Sequence, residues 1–177
     1  GKVVWIQASY TPILKNGRVH NVIKFASDVT AQVLNQANFE SQLQAIHRAQ
    51  AVIEFDLEGK ILFANPNFLN LMGYSLKEVT GQHHRIFVDP KEVASSAYSD
   101  FWRQLREGHY QTAEYKRFTK SGKEVWIHAT YNPIITPDGK VVKIVKYASD
   151  ITAQIQQKQQ FELLSMVANE TDNAVII

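Results

Sequence analysis

Residues 122–154 read GKEVWIHATYNPIITPDGKVVKIVKYASDITAQ, two β-type apolar runs on either side of the turn signal Pro137-Asp138-Gly139. The same pattern occurs at the start of the chain, where residues 1–32 read GKVVWIQASYTPILKNGRVHNVIKFASDVTAQ. With one residue inserted at the turn, roughly 18 of 32 positions are identical. A weaker echo joins Ala51-Val52-Ile53 to Ala174-Val175-Ile176. Both echoes fall at an offset of about 121 to 123 residues, far beyond the ~20 to 50 of a solenoid repeat. The repeating unit is therefore a whole domain with its connector. This spacing predicts the C-terminal part of a first domain over 1–30 and a helical linker over 31–50. A complete domain then covers 51–152, a second helical linker 153–172, and the first strand of a further domain 173–177. The strands of 1–30 need something to pair with, such as the lone C-terminal strand of another chain, or else stand as a partial sheet. A chain that opens on Gly1 rather than methionine also reads as a piece of a longer one.

Upstream of the deciding stretch, Ala51–Phe55 and residues 60–64 are short β-type runs separated by Asp56-Leu57-Glu58-Gly59, a hairpin signal. Asn65-Pro66 supplies an N-cap and a first-turn proline for a helix carrying Phe68, Leu69 and Met72, ending at Gly73. Ser75 and Glu78 form a capping box for a short turn. Asp89-Pro90 is read as the start of one helix running through Phe101, Trp102 and Leu105 to Gly108. Strands over 110–119, 124–135 and 141–148 complete the order. The economical fold is α+β: about five antiparallel strands with short helices over one face, flanked by helical linkers. The linkers are glutamine-rich and free of glycine and proline. Their spaced apolar residues, Phe39, Leu43 and Ile46 in the first, suit either a coiled-coil seam or a helix folded back on its own domain.

Composition narrows the function. The 177 residues carry 19 basic and 17 acidic side chains, too nearly balanced for nucleic acid or an anionic membrane surface to be the main partner. The absence of cysteine removes disulfide scaffolds, thiolate zinc sites, thiol nucleophiles and cysteinyl adducts. No apolar run is long enough to span a bilayer and no signal peptide is present, so a cytoplasmic location is expected, with a parent that could itself be membrane-attached. Glycine-rich phosphate loops, HExxH and GxSxG are all missing, and no residues are grouped as ligands for a metal. The chain reads as a non-enzyme.

The N-P-N-F run at 65–68, the M-G-Y-S run at 72–75 and the closing Asp150-Ile151-Thr152 resemble the PAS domain family. GQHHRIFVDP over 81–90, with KSGKEVWI, YNPI and ASDIT, is most similar to the PAS modules of bacterial methyl-accepting chemotaxis receptors. The resemblance implies a sensory and dimerisation module with a pocket between helices and sheet. Changes there would pass through Asp150, Ile151 and Thr152, and through Asp28 in the first copy, into the following helix. It implies a homodimer through PAS and linker helices, with neighbouring PAS and output domains of the same parent as partners and a small molecule as a candidate ligand. A ligand-free dimerisation module of a histidine kinase or diguanylate cyclase is the alternative, with a pocket filled by Phe68, Met72, Phe87, Trp102 and Tyr131.

Two cofactors can be weighed against the residues. In flavin-type PAS domains an adduct cysteine occupies the position held here by His84, and the flavin-edge amides correspond to Arg117, Ile127 and Ala148, so adduct photochemistry is excluded. Haem would need an axial histidine, and only His84 or His83 is placed to supply one, which would make a gas or redox sensor. Adjacent residues on a helical turn diverge by about 100°, so only one of the two could serve. Candidate ligand contacts are thus His84, His83, Asn65, Arg117 and Tyr131. By alternation Ile127, Ala129 and Tyr131 face inward, while Trp126 and His128 face out and Trp126 needs cover from a helix or a partner. His47, on the linker, reads as solvated.

Overall fold

The computed structural model describes residues 1–173. The chain divides into two compact units, the first over residues 1–46 and the second beginning at His47. In the first unit, strands β1 (Ile6–Lys15) and β2 (Arg18–Asp28) form an antiparallel hairpin that is a two-stranded sheet of its own. Apolar side chains of this first segment, Trp5, Tyr10 and Phe25 among them, are exposed in the single chain. Helix α1 runs Thr30–Ala49. The strand expected over 173–177 falls outside the described residues, apart from Asn173, which ends a helix.

The second unit holds β3 (Ala51–Phe55), β4 (Ile61–Ala64), β5 (Gln111–Phe118), β6 (Glu124–Ile135) and β7 (Val141–Asp150). They form one antiparallel sheet in the order β4-β3-β7-β6-β5. The first strand of the unit thus lies beside the last, with Ala51 opposite Ala148 and Phe55 opposite Ile144. Helices α2 (Pro66–Met72), α3 (Leu76–Val79), α4 (Pro90–Val93) and α5 (Ser96–Arg106), with a 3-10 turn over His84–Phe87, lie between β4 and β5 in sequence. Helix α6 (Thr152–Asn173) follows β7. The α+β architecture read from the sequence is the one observed.

Alternation sets the core. On β6, Val125, Ile127, Ala129 and Tyr131 are buried while His128 is exposed and Trp126 half-buried. They meet Phe68 and Met72 of α2, Val79 of α3, Phe87, and Trp102 and Leu105 of α5 in one apolar cluster. The outward Trp126 places its indole N–H on Glu124 Oε1 at 3.0 Å.

The helix read as continuous from Pro90 to Gly108 is broken in two. Ser95 adopts an extended conformation (φ −79°, ψ 152°); its Oγ accepts from Tyr98 N and donates to Glu92 O at 2.6 Å. A serine that bonds its neighbours' backbone offers an alternative to the helical ladder, and here it ends one helix and caps the next. Glu92 and Tyr98 thereby fall on separate helices.

The β3–β4 turn also fixes the helical wall. Gly59 has φ +82°, and a Cβ there would lie 2.9 Å from Trp102 Cζ2 and 3.0 Å from His83 Nε2. Its carbonyl accepts from His84 N at 2.8 Å. Gly59→Ala is expected to cost about 2 kcal/mol or more, from the left-handed backbone and the clash together. Gly122→Ala, at φ +80° with nothing within 4 Å, is the control and should cost only about 1 kcal/mol. Urea unfolding followed by tryptophan fluorescence measures both.

Candidate functional site

His84 opens the 3-10 turn, whose second N–H, that of Arg85, donates to His83 Nδ1 at 3.1 Å. The His84 backbone is tethered to Gly59, and its side chain is completely buried. Nδ1 lies 2.9 Å from the Tyr98 hydroxyl and Nε2 2.9 Å from the Tyr131 hydroxyl. A neutral imidazole has one donor and one acceptor nitrogen, so one tyrosine accepts and the other donates. The ring stacks on Tyr98 at 17° and meets Phe55 and Trp102 edge-on. Burial, with Lys146, Arg117 and His83 adding positive charge, holds the His84 pKa well below the ordinary histidine range. His83 diverges from it, half-buried beside Trp102 at 5.9 Å.

Tyr131, also fully buried, joins His84 to the sheet, and burial raises the pKa of its phenol. Its cross-strand partner is Lys146, whose Nζ sits 4.9 Å from the Tyr131 ring centre and 5.5 Å from that of Phe68. Lys146 is 1% exposed and makes no ion pair among the described residues. Burial, and then Arg117, push its pKa well down. Lysine over tyrosine at such a distance is a cation–π geometry. The pair recurs in the first unit, where Lys24 faces Tyr10 in register and lies 5.5 Å from its ring centre. Sequence reasoning passed over Lys146; the signal was its inward phase with Ile144 and Ala148 and its recurrence as Lys24.

Arg117 is 2% exposed. Its guanidinium lies 4.8 Å from the Tyr115 ring centre, and Nη1 donates to Lys116 O at 2.6 Å and to Glu92 at 3.3 and 3.4 Å. Its Nε, and Trp102 Nε1, have no hydrogen-bond partner among the described residues. Arg117 forms one wall of a cleft of about 190 Å³ shared with Glu92, Ala97, Tyr98, Phe101 and Tyr115.

Of the sequence candidates, His84, Tyr131 and Arg117 come together. Asn65 does not join them. Its Oδ1 accepts from Val52 N and Phe68 N, and its Nδ2 donates to the carbonyls of His47 and Gln50. It is a joint between the end of α1, β3 and α2. His47 is half-buried rather than solvated, its ring 5.9 Å from that of Phe63.

At the far end of β7 the chain turns into α6 through a three-bond clamp. Ile151 N donates to Trp126 O at 2.9 Å, Trp126 N to Thr152 Oγ1 at 2.9 Å, and Thr152 N to Asp150 Oδ1 at 2.8 Å. The first unit repeats it: Val29 N to Trp5 O at 2.9 Å, Trp5 N to Thr30 Oγ1 at 2.8 Å, and Thr30 N to Asp28 Oδ1 at 2.9 Å.

As arranged, His84 does not fit as a haem ligand, and two of the three flavin-edge positions do not fit a flavin. Both His84 nitrogens are occupied, and the space about its ring is filled by Phe55, Tyr98, Phe101, Trp102 and Tyr131, so it presents no axial ligand. At the flavin-edge positions Ile127 and Ala148 are buried apolar side chains with no donor or acceptor to offer.

The buried neutral histidine makes stability pH-dependent. Its folded pKa lies below the ~6.5 of an unfolded histidine, so acid protonates the unfolded chain first and stability falls as pH drops below that value. Below about pH 6.5, and until the folded histidine itself takes up a proton, His84 contributes a slope of at most ~1.4 kcal/mol per pH unit. His84→Gln, although less stable at pH 7.5, should lose stability more shallowly over that range in urea titrations. An unchanged slope would remove His84 as the source.

Comparison with known proteins agrees with this architecture. A model of the PAS fold matches residues 61–148, from β4 to within β7. The chain is 41% identical over 160 residues to the biofilm dispersion protein BdlA of Pseudomonas aeruginosa, covering 90% of this chain and 38% of that protein. It is 31% identical over 86 residues to the aerotaxis receptor of Escherichia coli, covering 49% of this chain and 17% of the receptor. The chain thus spans well under half the length of these relatives. Among solved structures, a PAS domain from Colwellia psychrerythraea superposes with a TM-score of 0.57 at 24% identity, covering 65% of this chain and 98% of that one. An RNA-binding light-oxygen-voltage receptor superposes with a TM-score of 0.59 at 21% identity, covering 97% of this chain and 46% of that one. With the β4-β3-β7-β6-β5 sheet, the helical wall over its inner face and the matched segment in agreement, the chain belongs to the PAS family.

Proposed function

We propose that this chain is a sensory relay segment of a multi-PAS bacterial receptor for chemotaxis-type signalling, passing changes in the PAS core into α6. The observation that carries the reading is the clamp joining the last strand to the following helix, built from the same bond types in both units. A threonine that accepts from one strand's N–H while opening a helix makes the helix start depend on where that strand lies. Displacing β6 or β7 then displaces the first turn of α6. The two relatives, a biofilm dispersion protein and an aerotaxis receptor, support the signalling class. The tightly packed aromatic core, with Phe68, Phe87 and Tyr131 fully buried, favours a relay over a large internal cofactor. No helix among the described residues is long and apolar enough to cross a membrane, and on this reading the segment works on the cytoplasmic side. The reading includes no catalytic step. It pairs two copies through PAS surfaces and linker helices, whose apolar side chains, among them Phe39, Leu43, Phe161 and Leu164, are exposed in the single chain.

The test replaces the aligned 160 residues of the Pseudomonas protein with this chain and scores biofilm dispersion. The reading expects a responsive chimera, and a folded but unresponsive one when Asp150→Ala and Thr152→Val are combined. In the isolated chain, Thr152→Val should speed amide exchange at Trp126 about five- to tenfold, as expected for one lost hydrogen bond. A fully responsive double variant would contradict the reading.

A further inference from the structure

We propose that the cleft between α4, α5 and β5 is a binding site for a small carboxylate with an aromatic or branched apolar body, seated on Arg117 in place of Glu92. Arg117 is buried yet retains an unbonded Nε, which an arriving carboxylate could take together with a terminal nitrogen as a two-pronged pair. Its present carboxylate partner is poorly held. Glu92 bonds Nη1 at 3.3 and 3.4 Å, longer than the ~2.7 to 2.9 Å of a strong charge-assisted bond. Glu92 is also 42% exposed, so water can take over its solvation when it leaves.

The remaining walls define the body of the ligand. Ala97, Phe101 and the rings of Tyr98 and Tyr115 offer apolar and aromatic surface around a cleft of about 190 Å³. The Tyr98 hydroxyl is already engaged by His84. An inorganic phosphate would leave most of its oxygens against hydrocarbon, whereas a carboxylate spends both oxygens on the guanidinium and presents carbon to the walls.

The site deepens the relay reading by naming an input, and it rests on that reading only for its consequence, since binding itself requires no relay. A ligand that draws on Arg117 changes the field at Tyr131 and Lys146, the facing pair of β6 and β7.

The test titrates the whole chain with benzoate, followed by backbone amide NMR shifts at Glu92, Phe101 and Arg117. Benzamide and inorganic phosphate serve as matched controls. Saturable shifts with benzoate and none with either control are expected. Glu92→Gln, which weakens the competing internal partner at an exposed position, should tighten benzoate about threefold or more. Arg117→Gln should weaken it about tenfold or more. Should the arginine variant fail to fold, Glu92→Gln still decides. No saturable shift in either wild type or Glu92→Gln, equal binding of benzamide, or an affinity unmoved by Glu92→Gln would overturn the site. Saturable benzoate binding that leaves amide exchange at Thr152 unchanged would instead keep the site and overturn the relay.

Discussion

The pair of hydrogen bonds from the buried His84 ring, to Tyr98 on α5 and to Tyr131 on β6, is the constraint around which this PAS domain is assembled. A histidine removed from water costs stability unless both nitrogens are satisfied. Here both are, by hydroxyls from opposite layers. Helical wall and sheet therefore cannot shift apart without leaving two buried polar groups, His84 Nε2 and the Tyr131 hydroxyl, unpaired. The aromatic rings packed about that centre lock its geometry, and Gly59 lets the β3–β4 turn approach closely enough to hold the His84 backbone.

From Tyr131 the structure leads to the edge of the molecule in few steps. Tyr131 faces Lys146 across β6 and β7, and the same two strands supply Trp126 and Asp150 to the clamp that starts α6. A polar core and a helix start thus share two hydrogen-bonded strands. The recurrence of both the lysine–tyrosine pair and the clamp in the first unit indicates that these features travel together with the strand pair rather than with one domain's particular contents.

Much of this was legible in the sequence. Alternation along 125–131 separated the buried from the exposed side of β6, and Asn65-Pro66, with its cap and first-turn proline, fixed where α2 begins. Asp150 and Thr152 could be placed at a strand-to-helix handover because Asp28 and Thr30 repeat them. What escaped were decisions made by tertiary contacts. Ser95 is compatible with a helix interior on propensity alone, and its break at Ala94 is settled by hydrogen bonds to Glu92 and Tyr98. Lys146 sits in an inward register, but the usual exposure of lysine outweighs that signal until the aromatic rings that surround its Nζ are known. Asn65 looked like a pocket residue, yet its amide ties the end of α1 and β3 to the first turn of α2.

The most direct test of the central claim, that the His84–Tyr131 bond connects the core to the helix start, is amide hydrogen exchange on the Tyr131→Phe chain. Removing one hydroxyl leaves the ring packing nearly intact while depriving His84 Nε2 of its partner. The account predicts faster exchange at Trp126, Ile151 and Thr152 as well as around His84, with circular dichroism unchanged. Faster exchange confined to the residues around His84, with the clamp protected as in the wild type, would contradict it.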